Sequence, residues 1–165
     1  MMEATLDRLR VKIIQLGARA FFNPPAVANA IGEVEERLQI TFPESVRKFY
    51  MAFNGGFFAD ASWSMEDLKD NRQFETIQWN SNHIMSLEDI KSGFGNRYPD
   101  CIPVVHTHTQ EFLSIINPLT NGESPVYDAF HECPPQEWGI LYNNFEELLN
   151  DYINKEGNIK TIAVG

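Results

Sequence analysis

Apolar residues recur at helical spacing in three successive stretches at the start of the chain. In the first, Leu6, Leu9, Ile13 and Leu16 share one face while Arg8, Arg10, Lys12 and Gln15 fall elsewhere, which predicts an amphipathic helix ending near Gly17. After Asn23-Pro24-Pro25, a helix-start signal, Val27, Ile31, Val34 and Leu38 trace a second face with Glu33, Glu36 and Arg37 opposite. A third helix begins around Pro43. Glu44 in its first turn suits the positive end of the helix dipole, and the helix buries Val46, Phe49, Tyr50 and Phe53 before Asn54-Gly55-Gly56 stops it.

From Phe57 to Asn82 the periodicity weakens. The charged run Glu66 to Asp70 fits a short helix or a loop, and Thr76 to Trp79 a short strand. Ser86 caps a short helix through Ile90, with the acid Asp89 at its third position. Beyond Pro99 the pattern changes to short apolar or alternating runs, Ile102 to Val105, Glu111 to Ile116, Pro125 to Phe130 and Trp138 to Tyr142, which read as antiparallel strands. Asn117-Pro118 and Asn121-Gly122 supply a tight reversal between the second and third of them. Asn144 caps a last helix with Glu147 three residues on, burying Phe145, Leu148, Leu149 and Tyr152; the tail after Gly157 adds a strand or frays. Helices first, sheet second and helix last, with no repeat and no linker, predict an α+β fold. We expect a single domain over residues 1–165, mainly an antiparallel sheet with N-terminal and C-terminal helices packed against it.

Composition sharpens this picture. The 165 residues are 43% hydrophobic and include twelve Phe, material for one core. A balance of 23 acidic against 13 basic residues gives a net charge of −10, which argues against direct nucleic-acid binding and suits a basic partner, although acidity alone also keeps a protein soluble. The N-terminus lacks a secretory pattern and no stretch reaches the length of a membrane span, so a cytoplasmic protein without a membrane partner is expected. Cys101 and Cys133 have no paired-cysteine spacing and read as reduced thiols.

The sharpest chemical signal is His106 with His108. Alternate strand residues share a face, and His131 with Glu132 would complete a metal site. Against it, Glu111 follows His108 too closely for a familiar metal-binding spacing, and histidines at a strand end are more often hydrogen-bonded; neither a metal nor any other cofactor is expected. A cysteine–histidine nucleophile requires an electropositive setting that this acidic chain scarcely offers. There is no glycine-rich phosphate loop, no Gly-x-Ser-x-Gly elbow and no HExxH, so no catalytic residue is assigned and no enzyme is expected. For partner binding, Asp60, Trp63, Glu66, Asp67 and Asp70 mix an aromatic with carboxylates outside any amphipathic face; the alternative buries Trp63 and Met65 beneath a loop. The loop from Glu132 to Trp138 is the second candidate. Its proline pair stiffens the backbone between Glu132 and Glu137, and Trp138 is either an anchor or a core residue.

The run Ile31 to Phe57 resembles the N-terminal signature of the SUKH superfamily (Smi/Knr type), with Glu35, Leu38, Phe42, Pro43, Phe49, Asn54 and Gly55 on the pattern. Ile102-Pro103, Val126-Tyr127 and Phe145-Glu146-Glu147-Leu148-Leu149 extend the likeness over most of the chain. Two departures stand out: Gln39 where the family often has Gly, and His106-Thr107-His108-Thr109-Gln110 where it often has Gly-Asp or Gly-Asn. The resemblance implies a non-enzymatic protein-binding module. Bacterial members are often immunity proteins that neutralise polymorphic toxins, many of them nucleases, and fungal relatives regulate cell-wall assembly. A cognate toxin domain is therefore the expected partner, with a regulatory scaffold or small-ligand-binding domain as the alternative and a metal-dependent enzyme using His106, His108 and His131 last. The sequence does not set the oligomeric state.

Overall fold

A computed structural model describes residues 1–93, 98–116 and 122–161. Helix α1 (Met2–Leu16) buries Met2, Leu6 and Leu9 and ends as expected at Gly17, whose positive φ lets its N–H return to the Ile13 carbonyl. Two strands follow from places where the sequence showed none: β1 (Ala20–Phe22) and, after helix α3 (Glu44–Ala52), β2 (Gly56–Phe58). Each is three residues long, too short to display an alternation.

Helix α2 (Ala30–Leu38) starts later than Asn23-Pro24-Pro25 suggested, and Val27 is exposed rather than on its buried face. The intervening backbone is held by the end of α3 instead: Ala26 N–H donates to Tyr50 O at 3.1 Å, and Asn54 N–H to Pro24 O at 3.0 Å. Thr76 to Trp79 is likewise not a strand but part of helix α5 (Phe74–Trp79), preceded by the short helix α4 (Met65–Lys69). Ile77 is fully buried, and Phe74, three residues before it, lays its ring against Phe21 and Phe57 while its other side stays exposed.

The rest follows the expected order. A two-residue strand β3 (His83–Ile84) precedes α6 (Leu87–Lys91), whose N-terminal Asp89 N–H is capped by Ser86 Oγ. Then come β4 (Cys101–His106), β5 (Phe112–Ile116), β6 (Val126–Ala129), β7 (Ile140–Tyr142) and α7 (Phe145–Asn154), capped by Asn144. The proposed reversal at Asn117, Pro118 and Asn121 lies outside the described residues, but β5 and β6 do pair antiparallel. The described residues after Gly157 form no strand.

All seven strands make one antiparallel meander in chain order, with a register shift between Pro103 and Val105. On its inner face Phe58, Ile84, Val105, Leu113, Ile115 and Val126 meet the buried sides of α1, α3 and α7, so the N- and C-terminal helices share the main core. A second cluster, Phe57, Ala59, Leu68 and Ile77, lies on the outer face under α4 and α5.

Candidate functional site

Residues that alternate with the main core point to the outer face, and there they form a row of rings across the sheet. Phe21 stacks on Phe57 with centroids 4.9 Å apart, and Phe74 caps both. The row continues through His83 to His106 at 5.1 Å and on to Phe112 at 4.8 Å, while Trp79 lies over His106 at 4.7 Å. Register explains the alignment, since His83 pairs with His106 and His106 with Phe112. Burial drives both imidazoles down from 6.5 to about 4, aided at His106 by its neighbour His83, so both rings are neutral at ordinary pH.

Beyond Phe112 no helix among the described residues covers the sheet. There the outer face of β4–β6 opens into a cavity of about 360 Å³, with Cys101, Phe112 and Ser114 on its floor and Tyr98 and Trp138 on its wall. The Trp138 indole donates to Cys133 O at 3.0 Å and meets Tyr98 edge-on at 5.6 Å. Glu111 and His131 form the rim, with His131 Nδ1 2.5 Å from Glu111 Oε1. Burial pushes the Cys101 thiol up to about 11, so it is protonated and a poor nucleophile.

The histidines singled out for a metal do not converge. His106 ends β4 and is buried, whereas His108 lies past the strand in an exposed turn, its ring 2.9 Å from Asn82 Oδ1; His131 is spent on Glu111. The strand ends at His106, so the alternation that would have aligned it with His108 never applies. Among the described residues no group of three or more His, Cys, Asp or Glu could hold a metal ion.

The residues of the signature build a joint. Glu35 accepts from Phe42 N–H at 2.9 Å and receives the Arg47 guanidinium at 2.7 and 2.8 Å, bracing the turn between α2 and α3. Leu38 packs at the core's edge and Pro43 precedes α3, on which Phe49 is fully buried. Asn54 Oδ1 accepts from Leu87 N–H at 2.8 Å, and Tyr50 donates to Met85 O at 2.6 Å. Gly55 has φ 79, and a Cβ there would lie 2.7 Å from Ile84 O. Residues 25–151 match the SMI1 / KNR4 family (SUKH-1), about three quarters of the chain. The chain belongs to that family. No match was found among curated proteins.

As a SUKH-1 domain, the chain places its partner-binding candidates on two segments. Asp60 accepts from Ser62 N–H at 2.8 Å, and hydrogen bonds from Ser62 hold its carboxyl below its ordinary value; the Arg72 guanidinium and amide do the same for Asp70. Glu66 is exposed, Asp67 partly so, and Trp63 is half-buried against the second cluster. Glu132 and Glu137 are exposed on the β6–β7 connection, with Glu132 Oε1 3.8 Å from His131 Nε2. Met65, which the alternative reading buried beneath a loop, is exposed, and the structure adds exposed Phe74 and Trp79 to the first segment. Tyr98, Glu111 and Ser114 were missed by sequence reasoning. The alternation of Phe112 and Ser114 against Leu113 and Ile115 was the available signal for the last. No helix among the described residues is long and apolar enough to cross a membrane.

Proposed function

We propose that this SUKH-1 domain is a non-enzymatic protein-binding module, an immunity protein that inhibits a polymorphic toxin with a basic working surface. The observation that carries the reading is the composition of the two segments flanking the open part of the sheet. Residues 60–79 hold five acids against Lys69 and Arg72, with Met65, Phe74 and Trp79 exposed among them. Residues 130–138 hold Glu132 and Glu137 and no Lys or Arg. Exposed aromatics within a carboxylate field suit a cationic protein surface: the rings supply contact area and the charges steer encounter. A nuclease fits well, because carboxylates can occupy positions meant for phosphates. Asp60, Trp63, Glu66, Asp67, Asp70, Glu132 and Glu137 are the proposed contacts.

The test is co-expression in a sensitive host with the C-terminal domain encoded by the upstream neighbouring reading frame. The expected result is survival and a one-to-one complex that weakens as salt rises. Reversing the charges of Glu66, Asp67 and Glu137 together should then raise Kd by at least about a hundredfold, on the scale of lost interfacial charge pairs. A harmless neighbour, or one that kills regardless, overturns the immunity reading.

A further inference from the structure

The cavity on the outer face has the chemistry of a receptor. Its volume of about 360 Å³ lies at the small end for ligand sites, suited to a single side chain or a molecule of that size. Ser114, at its floor, is 2% exposed, and its hydroxyl makes no hydrogen bond among the described residues. The hydroxyl faces the open cavity, where an arriving donor or acceptor can pair with it. Gln110 at the rim spends its amide N–H groups on Trp79 O and His108 O, which leaves the amide oxygen as an acceptor. Glu111 adds a carboxylate that is largely covered, its side chain 17% exposed. His131 meets this carboxylate through Nδ1 at Oε1 and through its N–H at Oε2, 3.4 Å away, and each carboxylate oxygen has a second lone pair for an arriving donor.

Toward the opening the Glu111 carboxylate and the Gln110 amide oxygen accept, the Ser114 hydroxyl accepts or donates, and no Lys or Arg lines the cavity to compete for them. The walls are aromatic. Tyr98 and Trp138 stand edge to face, with the indole orientation set by its bond to Cys133 O. A carboxylate, an inward hydroxyl and π faces together fit a planar cation with several N–H donors; an anion would meet Glu111, and a neutral hydrocarbon would leave Ser114 unsatisfied.

We propose that this cavity is a socket for a guanidinium group, the head of an arginine presented by the protein partner. The source of that arginine rests on the immunity reading above; the chemistry of the socket does not. The guanidinium stacks against Trp138 and Tyr98, donates to Glu111, and reaches Ser114 Oγ with its inner N–H groups.

The socket can be tested on the full chain without any toxin. N-acetyl-arginine-methylamide is titrated against the indole N–H signals of the three tryptophans, with the citrulline analogue, isosteric but uncharged, as the comparison. The expected result is a saturable shift at Trp138 alone with Kd on the order of 1 mM, ordinary for one side chain. The citrulline analogue, and Glu111→Gln with the arginine analogue, should each bind at least about tenfold more weakly. Ser114→Val, which puts methyl groups on the floor, should abolish the shift and serves as a second variant if Glu111→Gln lowers the Tm. An absent or unsaturable shift at Trp138, or equal binding of the citrulline analogue, overturns the proposal. If the analogue binds but the neighbouring toxin domain does not, the socket stands and the immunity reading falls. If the toxin domain binds wild type and Glu111→Gln alike, the immunity reading stands and the partner's arginine does not enter this socket.

Discussion

The outer face of the sheet is treated in opposite ways along its width. Over β1–β3 the rings of Phe21 and Phe57 lie under Phe74 and Ile77 of α5, with Leu68 of α4 alongside; Phe57 is sealed and Phe21 partly buried. Over β4–β6 the same alternation of side chains leaves Phe112 partly buried and Ser114 at the base of an open cavity. Both parts belong to one antiparallel sheet, but the cover over them among the described residues differs. Aromatic surface under α4 and α5 contributes to stability, whereas beyond Phe112 part of it lines an open cavity. His106 marks the border, buried beneath Trp79, whose own ring is half-exposed.

If this contrast is right, truncations at register-related positions should differ in cost. Phe57→Ala should destabilise by about 4 kcal/mol, as for a fully buried ring, and Phe112→Ala by only about 2 kcal/mol, measured by urea unfolding. Equal losses would mean that the open half is as tightly packed as the sealed one.

Acid should act on the border next. The native values of about 4 for His83 and His106 lie below the ordinary 6.5, so below pH 6.5 the unfolded chain binds protons that the native chain refuses. Stability is therefore full above pH 6.5, falls as the pH drops towards 4, and levels off below that. One histidine shifted this far contributes up to about 3 kcal/mol. The loss between pH 6.5 and 5, above the ordinary carboxylate range, is the part to read in denaturation curves. Replacing both histidines with Gln should flatten it, and hydrogen exchange at Ile77 to Trp79 should show α5 loosening before the main core.

The smallest expected effect lies away from both halves. Gln39 ends α2 in the left-handed region at φ 54, a conformation that strains a residue with a Cβ. Gln39→Gly should stabilise by about 1 kcal/mol while leaving arginine-analogue binding unchanged. A fall in Tm would show that the bond from its side chain to Glu36 O, 2.7 Å long, outweighs the strain.

Long helices were legible because their signals repeat. Leu6 and Leu9, then Val46, Phe49 and Tyr50, then Leu148, Leu149 and Tyr152 each mark one face at a spacing of three or four residues, and Ser86 and Asn144 act as the caps their positions suggested. β1, β2 and β3 were not legible, since two or three residues carry no period and their pairing partners lie 20 or more residues away in the chain. Thr76 to Trp79 misled because a single helical turn and a short strand bury similar residues. The candidate site was partly visible: Glu132, Glu137 and Trp138 sit beside the cavity, but Glu111 gained meaning only through His131, twenty residues on, and Tyr98 only through Trp138.

By itself the sequence determined the α+β class, the order of the main helices and strands, and the family. These depend on local periodicity, capping and backbone freedom, which neighbouring residues specify. Only the tertiary structure decided which apolar residues would be covered. Whether Phe57 is sealed and Ser114 left at an open floor depends on where α4 and α5 come to rest over the sheet, and that is settled by packing between segments far apart in the chain.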